Sequence, residues 1–96
     1  MIIGVLSLEF LLHGNDSLKG KRKVSLSLKQ KLRNKFNVAV AEVEALDSHK
    51  RLVLAVVTLA NETARVESTL AKALALVEAL SPAELVRCET EVFSGD

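Results

Sequence analysis

Residues 38–60, VAVAEVEALDSHKRLVLAVVTLA, decide the fold of this 96-residue chain. The first nine, 38–46, alternate between side chains suited to a buried and to an exposed side, which is typical of a strand. The polar segment 47–50 has the composition of a hairpin loop. Residues 51–60 are almost continuously apolar and rich in β-branched side chains, which predicts a central strand covered on both sides.

A helix is predicted before this hairpin, over residues 18–35. Either Asp16 or Ser17 is its expected N-cap, because both side chains can accept a hydrogen bond from the first helical amides. The residues that define its inner side recur every four positions, as one face of a helix requires. They are Val24, Leu28, Leu32 and Phe36.

A second amphipathic helix is predicted after the hairpin, from Asn61 as its N-cap to about Leu80, and Pro82 prevents its continuation. Strands are predicted at both ends of the chain, over residues 2–12 and 84–93. The order β-α-β-β-α-β predicts an α+β, ferredoxin-like sandwich, a four-stranded antiparallel sheet with both helices on one face. A chain of 96 residues has the size of a single domain spanning residues 1–96.

The net charge of +1 conceals two oppositely charged parts. Residues 1–35 carry eight Lys or Arg against two acids, a balance of +6. Residues 36–96 carry five Lys or Arg against ten acids, a balance of −5. No acid occurs from Ser17 to Ala41, so the first predicted helix is basic along its whole length. This distribution, rather than the total charge, bears on partners.

The basic helix is the candidate binding site for a phosphate-bearing partner. Positive side chains near a helix N-terminus favour anions, and cations further along the exposed side suit a nucleic-acid backbone. The alternative is a solvated helix surface that the acidic second part of the chain balances. The residues predicted to bind nucleic acid or phosphate are Lys19, Lys21, Arg22, Lys29 and Arg33.

Aromatic side chains are scarce, with three Phe and no Tyr or Trp. RNA readers of this topology stack bases on aromatic side chains of the sheet. Residues 51–60 contain none, and the first strand contains only Phe10, on its apolar side. Any RNA contact is therefore expected through the helix and its preceding loop, and it should read the backbone rather than the base sequence.

Two segments resemble the YlxP-like family of small bacterial proteins of unknown function. They are SLKGKRK at residues 17–23 and LRNKFNVAVAEV at residues 32–43. The resemblance implies a ferredoxin-like fold. It also implies a role around the ribosome, because genes of the family often lie near those of translation initiation and ribosome maturation factors. It implies no catalytic residues.

The sequence departs from the family pattern at two places. Gly20 stands where the family usually has an acid between two lysines. The segment 48–51, SHKR, lacks the aromatic residue and Gln that are common there. The second departure puts a family-wide role of this loop in doubt.

An enzyme is not expected, because no nucleotide-binding, metalloprotease or triad pattern is present. His13 and His49 lie alone in turns, so no metal or other cofactor is predicted. The enzymatic alternative is that the loop at residues 14–17, with Lys21 and Arg22, cradles a small phosphorylated substrate, by analogy with acylphosphatase-type enzymes of similar topology. The lone Cys88 is predicted to be a buried structural thiol. No signal peptide or membrane span is recognisable, so the chain is predicted to be cytoplasmic.

A homodimeric interaction module is the alternative function from a different class. Both sides of the third predicted strand are apolar, yet the helices cover only one face of the sheet. The uncovered remainder, around Val53, Ala55, Val57 and Leu59, is then available for self-association. Partial shielding by Glu9, Arg87 and Glu89 is the competing interpretation. Leu26, on the outward side of the basic helix, is predicted to be exposed.

Overall fold

A computed structural model describes all residues, 1–96, and contains four strands and two helices in the predicted order. They are β1 (Ile2–Leu11), α1 (Leu18–Lys35), β2 (Ala39–Glu44), β3 (Arg51–Ala60), α2 (Thr63–Leu80) and β4 (Glu84–Ser94).

The four strands form one antiparallel sheet in the order β2-β3-β1-β4. β1 and β3 are central, and each of the two strand-helix-strand crossovers joins a central strand to an edge strand. Because such crossovers share one hand, both helices pack on the same face. The predicted ferredoxin-like fold is confirmed.

The core lies between this face and the two helices. Alternate residues of β1 point into it, because successive side chains of a strand lie on opposite sides. β1 pairs with β3 so that Leu8 lies opposite Leu54, and both are fully buried. The other large side chains that are fully buried in the core include Leu6, Phe10, Leu28, Leu32, Leu52, Val56, Val66 and Val77.

Gly4 allows α2 to approach the sheet closely. A Cβ at this position would lie 2.4 Å from Cγ1 of Val66 and 2.8 Å from Cδ1 of Leu70. Both are buried residues of α2. The absence of a side chain in the middle of the sheet therefore sets the distance between β1 and this helix.

Several elements begin or end one or two residues away from the predicted positions. β2 ends at Glu44 rather than at residue 46, because Ala45 has φ 57° and turns the chain out of the strand. The N-cap of α2 is Glu62 rather than Asn61, and no side chain caps the helix. Of the two candidates for α1, Ser17 is the N-cap, and its hydroxyl accepts from the amide of Gly20 at 3.0 Å.

A candidate nucleic-acid interface

Four of the five predicted site residues lie along one side of α1 and form a basic stripe, defined as Lys19, Arg22, Lys29 and Arg33. Lys19, Arg22 and Arg33 are exposed and Lys29 is half-buried. Their spacing of three, seven and four residues keeps them on one side of a helix. At about 1.5 Å per residue, the stripe is about 21 Å long.

The stripe contacts the edge strand β2 through Arg33. Nη2 of Arg33 donates a hydrogen bond of 2.7 Å to the main-chain oxygen of Val40 in β2. Leu26 lies in the middle of the stripe and is 53% exposed, as predicted. Arg33 therefore has a structural role besides its charge, whereas Lys19, Arg22 and Lys29 make no hydrogen bond through their side chains.

Lys21, the fifth predicted site residue, is not on this surface. It is 1% exposed, and its ammonium lies 2.9 Å from Oε2 of Glu42. The same ammonium donates to the main-chain oxygens of Ala45 at 2.7 Å, Leu46 at 3.3 Å and Arg51 at 3.4 Å. Its assignment to a phosphate site was wrong, because the ammonium is buried and these protein groups already bind it.

The inner side of α1 explains this error. The buried residues of the helix are Lys21, Ser25, Leu28 and Leu32. The predicted apolar pattern began instead at Val24, which is half-buried. Polar side chains thus occupy the first two turns of the inner side. Polar and charged residues are mostly exposed in proteins, so no pattern in the sequence indicates that Lys21 faces the protein interior.

The remaining cations of α1 have no acidic partner. Among all ion pairs of the protein, only the one between Lys21 and Glu42 involves this helix. Lys23, Lys31 and Lys35 are exposed and unpaired as well, on other sides of the helix. The positive charge on the outer surface of α1 is therefore not neutralised by ion pairs with the protein's own carboxylates.

The loop before α1 is held in place by Asn15. Its Nδ2 donates to the main-chain oxygens of Ser17 at 2.8 Å and of His49 at 2.5 Å. A Cβ at Gly20 would lie 2.1 Å from Oδ1 of Asn15. Gly20 thus leaves room for the Asn15 side chain, which ties the start of the basic helix to the β2–β3 loop.

Comparison with known proteins identifies the family of this chain. The family model described as a protein of unknown function, DUF503, matches residues 3–90. The chain belongs to the DUF503 family. The uncharacterized protein YlxP of Bacillus subtilis (strain 168) is 27% identical over 92 residues, covering 96% of this chain and 100% of that protein. The YlxP-like resemblance is therefore confirmed, and it carries no established activity.

Solved structures share the fold at low sequence identity. A candidate antibiotic biosynthesis monooxygenase from Chloroflexus aurantiacus J-10-fl is 12% identical, with a TM-score of 0.52 over 100% of this chain and 96% of that one. A VAO-type flavoprotein from Myceliophthora thermophila C1 is 14% identical, with a TM-score of 0.54 over 97% of this chain and 16% of that one. Similarity at this level concerns architecture and not chemistry.

Side chains that bind metal ions do not cluster in this DUF503 chain. No three side chains of His, Cys, Asp or Glu lie together as metal ligands do. Nε2 of His13 lies 2.7 Å from Oε1 of Glu84 in an exposed pair. Cys88 is exposed, contrary to prediction, because it lies on the edge strand β4. Neither helix is long and apolar enough to cross a membrane.

Proposed function

We propose that this chain is a non-enzymatic RNA-binding protein that associates with the ribosome through the basic stripe of α1. The observation that supports it is a row of outward cations with no carboxylate within ion-pair distance. Surface helices ordinarily mix both signs of charge and gain from pairs three or four residues apart. A helix without these pairs keeps its cations available to bind an anionic partner. Among polyanions, the role around the ribosome implied by the family resemblance selects RNA.

The contact is with the sugar-phosphate backbone. The stripe offers flexible cations and no aromatic side chain. Phe10 is fully buried, and of the three Phe only Phe93 is substantially exposed, on the other face of the sheet. Backbone contacts release counterions, so binding weakens as salt rises. Four contacts with a single strand predict that log K falls against log salt with a slope of about −2.8, from about 0.7 per phosphate.

Charge reversal tests this proposal with a control of the same charge and spacing. The variant Arg22→Glu/Lys29→Glu removes two cations seven residues apart on α1. The control Arg65→Glu/Lys72→Glu removes two exposed cations seven residues apart on α2. Both variants change the net charge equally. A nonspecific effect of total charge therefore affects them alike.

Binding to a fluorescently labelled single-stranded RNA is measured by anisotropy over a range of salt, and binding to ribosomes by co-sedimentation. The α1 variant should lose ribosome co-sedimentation, and its salt slope should fall in magnitude by about 1.4. The α2 control should bind as the unmodified protein does. Equal losses in the two variants, or no loss in either, would overturn the proposal.

A further inference from the structure

The sheet face that the helices leave uncovered is called the open face. It has two distinct halves. Its side chains at one end are apolar except for Glu91 on β4, and Leu59 and Phe93 are 60% and 42% exposed. Across the strands, Ile3 lies opposite both of them, and Val5 lies opposite Val57. The apolar half is defined as Ile3, Val5, Ala39, Val57, Leu59 and Phe93.

The other end of the open face is charged and internally paired. Arg51 donates to Glu9 at 2.7 and 3.2 Å and lies 3.6 Å from Glu44. Arg87 pairs with Glu89 on β4. The hydrogen bond from Arg51 lowers the pKa of Glu9, and the bonds to Glu9 and to Glu89 raise the pKa values of Arg51 and Arg87. Alternating charges thus cross all four strands and largely neutralise one another.

We propose that the apolar half is the interface of a weak homodimer, in which two copies pack sheet against sheet about a two-fold axis near Val57. A two-fold arrangement brings the same patch of both copies together. It sets Leu59 and Phe93 of each copy against the apolar half of the other. The paired charges then lie at the rim, where they remain in water, as in interfaces with an apolar centre and a polar edge.

The area of the apolar half determines the expected affinity of the dimer. Four strands about 4.8 Å apart, over about three residues of 3.3 Å each, give a projected area of about 190 Å². The accessible area is larger, because side chains project from it, but the total buried by two copies stays near or below about 1,000 Å². Stable complexes bury about 1,200–2,000 Å². The dimer is therefore expected to dissociate in the micromolar range.

A second copy fits this half better than RNA or a lipid surface does. Glu91 lies opposite Val5 and Glu89 opposite Ser7, so acids border the apolar residues on the β4 side. The two arginines of the face are engaged with carboxylates. A polyanion or an anionic membrane would meet like charge here, whereas an identical face presents both signs at its own rim. The inference concerns the open face alone and does not depend on the basic stripe.

Sedimentation velocity over protein concentrations from about 5 to about 500 μM tests the dimer, since a micromolar equilibrium shifts within this range. The mass should rise from 10.4 kDa toward twice that value. Leu59→Asp should raise the dissociation constant by at least about thirty-fold, as loss of a central interface side chain does. Leu26→Asp is the matched control, since Leu26 is similarly exposed but lies on α1.

A cross-linking experiment tests the position of the axis. Cys88→Ser removes the only native thiol, and Val57→Cys or Leu26→Cys then introduces one. A bis-maleimide reagent about 8 Å long spans two side chains that face each other across sheets packed about 10 Å apart. The variant at Val57 should form cross-linked dimers, and that at Leu26 should not. A monomer at every concentration, unchanged association of Leu59→Asp, or equal cross-linking at both positions would overturn the inference.

Discussion

Replacing Lys21 by Met is expected to destabilise the protein strongly while leaving RNA binding intact. Met retains an unbranched side chain to fill the space of the lysine stem, but it lacks the ammonium. Glu42, whose side chain is 16% exposed, then keeps a charge without a partner. The main-chain oxygens of Ala45, Leu46 and Arg51 also lose their donor.

The expected loss of stability follows from these contacts. Removing one partner of a buried ion pair costs about 3–5 kcal/mol, because the remaining charge is left uncompensated. That is a large part of the total stability of a small domain, about 5–15 kcal/mol. One kcal/mol shifts the melting temperature of a domain of this size by about 4–8 °C. Lys21→Met should therefore lower it by at least about 12 °C.

Urea unfolding followed by circular dichroism measures the free energy of unfolding. The control is Lys23→Met in the same helix, which removes an exposed cation with no ion-pair partner and should change stability by less than about 0.5 kcal/mol. Adding Glu42→Gln to Lys21→Met should cost less than the sum of the two single changes, because both disrupt one pair. A cost of Lys21→Met below about 1 kcal/mol would refute the assignment and return Lys21 to the candidate binding surface.

Two further predictions concern the sheet. The pKa of Glu9 is lowered by its hydrogen bond with Arg51. This carboxyl therefore contributes stability that is fully present above its unfolded pKa of about 4.3. The contribution is lost as pH falls through the lower pKa of the folded state. Glu9→Gln should make the melting temperature depend less on pH below about 5. A pH dependence equal to that of the unmodified protein would contradict this. Gly4→Ala should cost about 1–3 kcal/mol, because its Cβ would lie 2.4 Å from Val66. In urea unfolding, Gly4→Ala combined with Val66→Ala should cost less than the sum of the two single changes, because the smaller side chain removes the clash. A neutral Gly4→Ala would show that α2 moves away freely.

The fold could be predicted because each element carries its own period in the sequence. Leu6, Leu8 and Phe10 alternate in β1, and all three are fully buried. Leu28 and Leu32 mark the inner side of α1. These patterns are local, and the hand of the crossovers restricts how the elements assemble. The end of β2 escaped prediction, because no apolar pattern marks the positive φ of Ala45.

The exposure of Cys88 was missed for a different reason. Its neighbour across the ladder is the buried Leu8, so it points to the helix side, as a core residue does. β4 is nevertheless an edge strand. The alternation of a strand shows which side a residue faces but not whether a helix extends over it.

The sequence by itself determined the order of the strands and helices and the existence of a helix without acids. Only the tertiary structure decided which of its cations face water. Lys21 and Glu42 are separated by 21 positions in the chain and meet because α1 packs against β2. Whether an ammonium group is solvated depends on the atoms packed around it. Those atoms come from other segments, whose positions no local pattern specifies.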